Sequence, residues 1–297
     1  MSPPDPAQDR SFEASRPRLV RLAYRMLGSV AEAEDVVQDA FIRWHRRDRG
    51  GIRDPEAYLM RIVARLCLDV LKSARARREI YIGPWLPEPV VESPEDEADD
   101  ITLTLMLALE RLSPLERAAF LLHDVFGQSF DEVSRSIGRT AIACRRLADR
   151  ARDHVREARP RFPVAEEQGR RIAAAFLAAA RSGDVEALQL ILAEDVVFQS
   201  DGGGVRPAAL NPIRSRDKVV RLLAALARKR GGASPPVLEE GLINGLPGFV
   251  TLEADGLPQA TVLAIDGGRI AAIYVIRNPE KLLRLTPFPV PGAPPAG

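Results

Sequence analysis

Cysteine is scarce in this chain, with only Cys67 and Cys144 among 297 residues. The two lie far apart and outside any metal-ligand spacing, which argues against a disulfide framework or a zinc site and fits a reducing compartment. Histidine is nearly as rare: His45, His123 and His154 all precede residue 163, so the C-terminal part holds no imidazole for acid–base or metal chemistry. No apolar run approaches the roughly 18 residues that cross a bilayer. The opening MSPPDPAQDR lacks both the basic start and the hydrophobic stretch of a signal peptide. A cytoplasmic location without membrane contact is expected, with no metal and no cofactor. Lysine is sparse too: of 42 cations only Lys72, Lys218, Lys229 and Lys281 are lysine, so the basic chemistry belongs to arginine. What remains is ample for globular folding. The length predicts roughly two domains at about 150 residues each, and a 46% apolar content gives each a core.

The net charge of +1 hides an uneven distribution. Residues 81–112 carry 1 basic and 8 acidic side chains, whereas 134–162 carry 9 basic and 3 acidic, the composition of a polyanion-binding face beside an acidic linker. Residues 11–80 read as helices. Gly28 ends one, and Ser29 with Glu32 opens the next as an S-x-x-E capping box. In that next helix Ala33, Val36, Val37, Ala40, Phe41 and Trp44 follow a helical stripe, with Glu32, Asp35 and Asp39 on the solvent side. Asp54 and Pro55 then start a long helix with Leu59, Ile62, Val63, Leu66 and Val70 inward. On it Arg61, Arg65, Lys72 and Arg75 fall within about 80° of one another. Residues 81–100, dense in proline and acid, predict an extended linker and a domain boundary. Helix resumes at Ile101, and Ser113, Pro114 and Glu116 form a second capping box.

Residues 130–155 carry the sharpest pattern. Phe130, Val133 and Ile137 form one apolar face, Gly138 permits a tight turn, and Thr140 caps a second short helix with Cys144, Leu147, Ala148, Ala151 and Val155 inward. This is the spacing of a helix-turn-helix. Arg139, Ala143, Arg146 and Arg150 recur on its open side, where arginine can meet guanine O6 and N7 or pair with phosphate. An αα-hairpin with a solvated charged face shares that pattern. From Glu166 onward the pattern predicts helices over 166–182, 184–192 and 217–230. Strands are predicted at 194–200, 236–243, 247–254, 259–266 and 269–277, giving an α+β domain with an antiparallel meander.

Three stretches resemble a known family. YRMLGSVAEAEDVVQDAFIRW (24–44), the long helix ending at Arg78, and LSPLERAAFLLHDVFGQSFDEVSRSIGRTAIACRRLADRAR are similar to regions 2 and 4 of bacterial extracytoplasmic-function sigma factors. WLPEP (85–89), DGGG (201–204) and NPEKL (278–282) resemble signatures of the subgroup with a fused SnoaL-like domain. The resemblance implies a multidomain fold of two all-α sigma domains followed by an α+β SnoaL-like cone. Its segments would be region 2 over 8–80, the linker 81–100, region 4 over 101–160, the cone over 165–287 and a disordered tail at 288–297.

It also implies roles. Asp35, Gln38, Asp39 and Phe41 match the segment that docks on the β′ clamp helices of core RNA polymerase, whose β subunit is a second expected contact. Arg61, Arg65, Lys72 and Arg75 match the part that captures an unpaired base of the −10 element and holds the melted strand. Arg139, Thr140, Arg145, Arg146 and Arg150 match the reader of the −35 element in promoter DNA. Trp85, Leu86, Pro87, Asp201, Gly202, Gly203, Gly204, Asn278, Pro279 and Lys281 match a regulatory interface through which the cone would act in cis. Where the family continues DGGG with lysine this chain has Val205 and then Arg206, which moves or removes that contact. The expectation is a promoter-directing factor that is not an enzyme. Two alternatives remain: a bifunctional protein whose cone binds or converts a small molecule, with Asp195, Asp201 or Asp266 as the only kind of base available, and a helix-turn-helix repressor.

Overall fold

The computed structural model describes residues 6–46, 52, 54–79, 81–92, 102–158, 164–231 and 234–285. The predicted tail at 288–297, the acidic end of the linker and the loop before the long basic helix lie outside the described residues. The chain divides into two compact units, one of Met1–Ile80 with Leu105–Ala158 and one of Tyr81–Thr104 with Arg159–Gly297. The segments expected as regions 2 and 4 therefore share one unit, and the linker belongs with the C-terminal one.

The first unit is helical: α1 (Pro6–Leu27), α2 (Val30–His45), α3 (Pro55–Glu79), α4 (Leu103–Glu110), α5 (Pro114–Phe120), a π-helical turn (Leu121–Val125), α6 (Phe130–Ile137) and α7 (Ala141–Ala158). Its boundaries follow from side chains that satisfy the open N–H groups at helix starts. Ser29 Oγ accepts from Glu32 N at 3.4 Å, and Asp54 Oδ1 accepts from Ala57 N at 3.0 Å. Ser113 and Glu116 form the expected capping box, and Ser129 with Glu132 forms another that sequence reading did not single out. Gly138 closes α6 with φ 68°, a left-handed conformation that disfavours a side chain. The core combines Phe12, Leu19, Leu22 and Met26 of α1, Val36, Val37 and Trp44 of α2, and Leu59, Val63 and Cys67 of α3. A second set joins Leu109, Leu121, Leu122, Val133, Cys144, Ala148 and Ala151. Both cysteines are buried and free. Phe41 is only half-buried, its ring edge-on to Phe12 at 4.9 Å. Contrary to expectation α7 is long, at 18 residues.

Three arginines join the two halves of this unit in one way: each donates to backbone carbonyls at the end of a helix or turn in the other half. Arg117 Nη1 reaches Met26 O at the end of α1 at 2.5 Å, and Arg18 Nη2 reaches Phe126 O after the π-turn at 2.8 Å. Arg65 donates from Nε to Ser136 O at 3.1 Å and from Nη2 to Arg135 O at 2.6 Å, at the C-terminus of α6. A cation there completes orphan carbonyls and meets the negative end of the helix dipole. Arg117 is buried, which pushes its guanidinium down to about 10, and it is also paired with Glu110 at 2.6 Å.

In the second unit α8 (Glu166–Ser182), α9 (Val185–Ile191) and α10 (Arg216–Arg230) pack on a sheet of β1 (Leu192–Asp201), β2 (Ile213–Arg214), β3 (Val237–Ile243), β4 (Leu246–Leu252), β5 (Pro258–Asp266) and β6 (Arg269–Ile276). Strand order is β2-β1-β6-β5-β4-β3. The expected meander holds from β3 to β6, but β1 pairs parallel to β6 and a short β2 adds an edge. The inner face is filled by Phe176, Leu188, Phe198, Val219, Phe249, Leu263 and Ile273. The linker adds to the far edge through a bridge between Val91 and Ile243.

The capping box at Ser129 makes a prediction. Hydrogen bonds from Ser129 hold the Glu132 carboxyl below its ordinary value of 4.5. Its stabilising share is therefore fully present above that value and is lost as pH falls through the lower folded value. Ser129→Ala is expected to lower the stability of the first unit by about 1 kcal/mol at pH 7. In thermal melts, that difference should shrink below about pH 4.5.

Candidate nucleic-acid interface and linker clasp

On α2 the side chains of Asp35, Gln38 and Asp39 are exposed together, opposite the buried stripe. Phe41 lies off that acidic face, stacked edge-on between Phe12 and His45. On α3 the expected basic stripe is divided. The Arg61 guanidinium lies 4.9 Å from the Tyr58 ring centroid, Lys72 pairs with Asp69 at 2.8 Å, and Arg65 is spent on the α6 carbonyls. The side chain of Arg75 lies outside the described residues.

The second helix of the helix-turn-helix is α7. Thr140 caps it, with Oγ1 accepting from Ala143 N at 3.3 Å. Cys144, Leu147, Ala148, Ala151 and Val155 face inward as expected. The arginines differ in what they already touch. Arg139 donates to Gly138 O at 3.1 Å, and the Arg145 guanidinium sits 5.2 Å from the Phe130 centroid. Arg150 pairs with Glu116 at 3.0 Å, and Arg152 with Asp124 at 2.7 Å. Arg146 is exposed and has no hydrogen-bond or ion-pair partner among the described residues.

The signatures of the C-terminal unit meet at one buried carboxylate. Asp201, at the end of β1, is fully withdrawn from solvent and accepts from four donors. Tyr81 Oη lies at 2.6 Å and Gly203 N at 3.0 Å from Oδ1, while Leu86 N at 2.9 Å and Lys281 Nζ at 2.7 Å donate to Oδ2. Lys281 also donates to Leu86 O at 2.6 Å, and its ammonium lies 4.1 Å from the Trp85 ring centroid and 5.2 Å from that of Tyr81. Asn278 Nδ2 donates to Tyr81 Oη at 3.0 Å, while Asn278 Oδ1 caps the short turn starting at Pro279. Leu86, Pro87 and Glu88 are buried. The linker is thus clasped by its own unit through a buried ion pair flanked by an aromatic cage.

The glycines are explained by close approach. A Cβ on Gly202 would lie 2.1 Å from Arg206 O, and one on Gly203 would lie 2.5 Å from the Asn278 side chain. Tyr81 was missed by sequence reading, although it sits beside WLPEP. Burial first and the Asp201 hydrogen bond second push its hydroxyl well above the usual tyrosine range, so it remains a neutral donor. Asn244 was missed as well: with φ 49° it accepts from Val90 N through Oδ1 at 3.1 Å, and its own N–H donates to Val90 O at 2.9 Å. The Val205 departure resolves cleanly. Val205 is 74% exposed, while Arg206 turns inward, bidentate on Asp255 with both distances 2.9 Å. The lysine contact is therefore not moved to the next residue.

Residues 12–77 match the model of sigma-70 region 2, and residues 102–155 match that of sigma-70 region 4. These ranges cover the acidic α2, the basic α3 and the helix-turn-helix. The chain belongs to the extracytoplasmic-function RNA polymerase sigma factors. It is 38% identical over 287 residues to the ECF RNA polymerase sigma factor SigJ of Mycobacterium tuberculosis, covering 91% of each chain. It is 34% identical over 290 residues to the probable ECF sigma factor SigI of the same species, covering 95% of this chain and 97% of that one. The crystal structure of M. tuberculosis SigJ superposes with a TM-score of 0.76 at 36% identity, covering 92% of this chain and 98% of that one. A sigma factor is a transcription factor that binds core RNA polymerase and directs it to promoter DNA. No helix among the described residues is long and apolar enough to cross a membrane.

Asp201→Asn removes the partner of a buried ammonium, a change that costs about 3–5 kcal/mol. The variant is expected to melt earlier in its C-terminal unit and to be cleaved faster within residues 81–92 under limited proteolysis. Equal melting and cleavage would contradict the clasp.

Proposed function

We propose that α2, α3 and α7 divide the work of initiation among named side chains, and that the cone controls it in cis by its hold on the linker. Asp35, Gln38 and Asp39 form the acidic face for the β′ clamp helices, with Phe41 fixing α2 on α1. Arg61, Arg65, Lys72 and Arg75 serve the melted −10 strand. Arg139, Thr140, Arg145, Arg146 and Arg150 serve the −35 duplex. The buried Asp201 hub carries the regulatory reading, because it ties all three signatures, WLPEP, DGGG and NPEKL, into one network. A device for fixing the linker has every reason to be built this way; a catalytic base does not. Asp201 has its lone pairs committed to four donors, and Asp195 is exposed. We therefore read the cone as a regulator rather than a catalyst. The small-molecule alternative finds support in a cavity of about 240 Å³ between α8 and the β3–β4 hairpin, lined by Arg170, Leu177, Glu240 and Phe249. That is smaller than the roughly 300–1,000 Å³ of ordinary ligand sites.

The arginine bridges of the first unit add a conformational step. Elements at −10 and −35 lie about 25 base pairs apart, roughly 85 Å at 3.4 Å per step. The Arg65 guanidinium that would serve the first lies within 3.1 Å of the helix preceding the reader of the second. Promoter engagement therefore requires the Arg18, Arg65 and Arg117 bridges to break, and the described arrangement is the resting one. Arg18→Ala removes one bridge from a half-exposed residue. It is expected to raise the affinity for core polymerase several-fold in a titration, and unchanged affinity would contradict a resting state held by these bridges.

Run-off transcription with purified core polymerase tests the whole reading. Asp39→Ala is expected to weaken polymerase association, and Arg146→Ala to reduce promoter-dependent output with association intact. Tyr81→Phe and Lys281→Met should change output while association persists. Clasp variants with unaltered output would refute cis control, and full association by Asp39→Ala would refute the assigned α2 face.

A further inference from the structure

The feature of α7 left unused by an arginine account is Ile142, whose side chain is 70% exposed in the first turn of the helix. A β-branched apolar residue contributes nothing to a helix start that alanine would not supply better. Its direction is informative. At 100° per residue Ile142 points about 180° from Ala151 on the buried face, and Arg146, one turn on, lies about 40° from it. Arg145 and Arg150 flank this line at about 60° and 80°, and Arg139 precedes the Thr140 cap. Their guanidinium groups are drawn to Phe130, to Gly138 O and to Glu116. Ile142 and Arg146, the latter without a partner among the described residues, thus share the exposed face of α7 opposite its buried stripe near the N-terminal end. In a helix-turn-helix that end enters the major groove, where thymine alone offers a methyl group.

We propose that Ile142 is a specificity-determining residue that reads the 5-methyl group of a thymine in the −35 element, beside a guanine read by Arg146. This rests on α7 being the −35 reader. The flanking arginines then hold phosphates on either side, which positions the helix without reading sequence.

The test uses holoenzyme assembled from the full chain and core polymerase. Its DNA carries a −35 element selected by that holoenzyme from random sequence, with each thymine replaced in turn by uracil, which deletes only the methyl group. Wild type is expected to lose about fourfold in affinity at one thymine, the worth of one buried methyl group. Ile142→Ala should bind natural DNA about fourfold more weakly and be indifferent to uracil at that position. Arg146→Ala should keep the uracil response and lose preference at the neighbouring base pair. If wild type tolerates uracil at every thymine, or Ile142→Ala still responds to it, the assignment is overturned while α7 stands as the reader. If Arg146→Ala also leaves base preference intact at every position, the reading of α7 itself fails.

Discussion

A carboxylate taken wholly out of water organises the C-terminal unit. Burial of Asp201 would be prohibitive for a lone charge, and it is offset because the Lys281 ammonium, the Tyr81 hydroxyl and two backbone N–H groups converge on its two oxygens. That requirement fixes the surroundings. Gly202 and Gly203 are needed so that the backbone can fold back on Arg206 and Asn278, and Lys281 is placed by the short turn that Asn278 caps. The linker supplies Tyr81 and Leu86 N, so the charge is satisfied only with the linker in place. Holding the linker and stabilising the C-terminal unit are consequently one energetic problem.

The first unit solves a different problem with arginine. Helix C-termini leave carbonyls without partners, and Arg18, Arg65 and Arg117 supply them across the junction of the two halves. A guanidinium that satisfies a carbonyl oxygen is also suited to a phosphate oxygen. Arg65 closes the protein through these carbonyls, and on the proposed reading the same group is the one that would serve nucleic acid. Arg117, buried and bound to Leu109 O, Met26 O and Glu110, is the least exposed of the three bridges.

Much of this was legible in the sequence because local rules decided it. Caps at Ser29, Asp54 and Ser113, the glycine stop at Gly138 and the apolar stripes of α2 and α7 are properties of a few adjacent residues. The strands of the meander were marked by turn pairs in the same way. What was not legible depends on partners distant in the chain. The parallel pairing of β1 with β6, the two-residue β2 and the arginine bridges join segments far apart in sequence. The roles of Tyr81 and Asn244 are of that kind too, since a single tyrosine or asparagine beside a turn has no distinctive spacing. The resemblance placed Asp201 and Lys281 in the same interface, but that they form an ion pair depends on the fold bringing β1 and the turn after β6 together. Likewise Arg139, Arg145, Arg146 and Arg150 look alike in sequence, and differ because Phe130 and Glu116 stand beside two of them.

The claim that the cone governs initiation through its grip on the linker is tested most directly by amide hydrogen exchange. Leu86 N, Val90 N and Glu92 N are hydrogen-bonded to Asp201, Asn244 and Leu242 in the chain alone. Exchange is compared between the free protein and its complex with core RNA polymerase on promoter DNA. Slow exchange in the free protein followed by a large acceleration in the complex is the predicted result. Equal protection of these amides in both states would contradict the account.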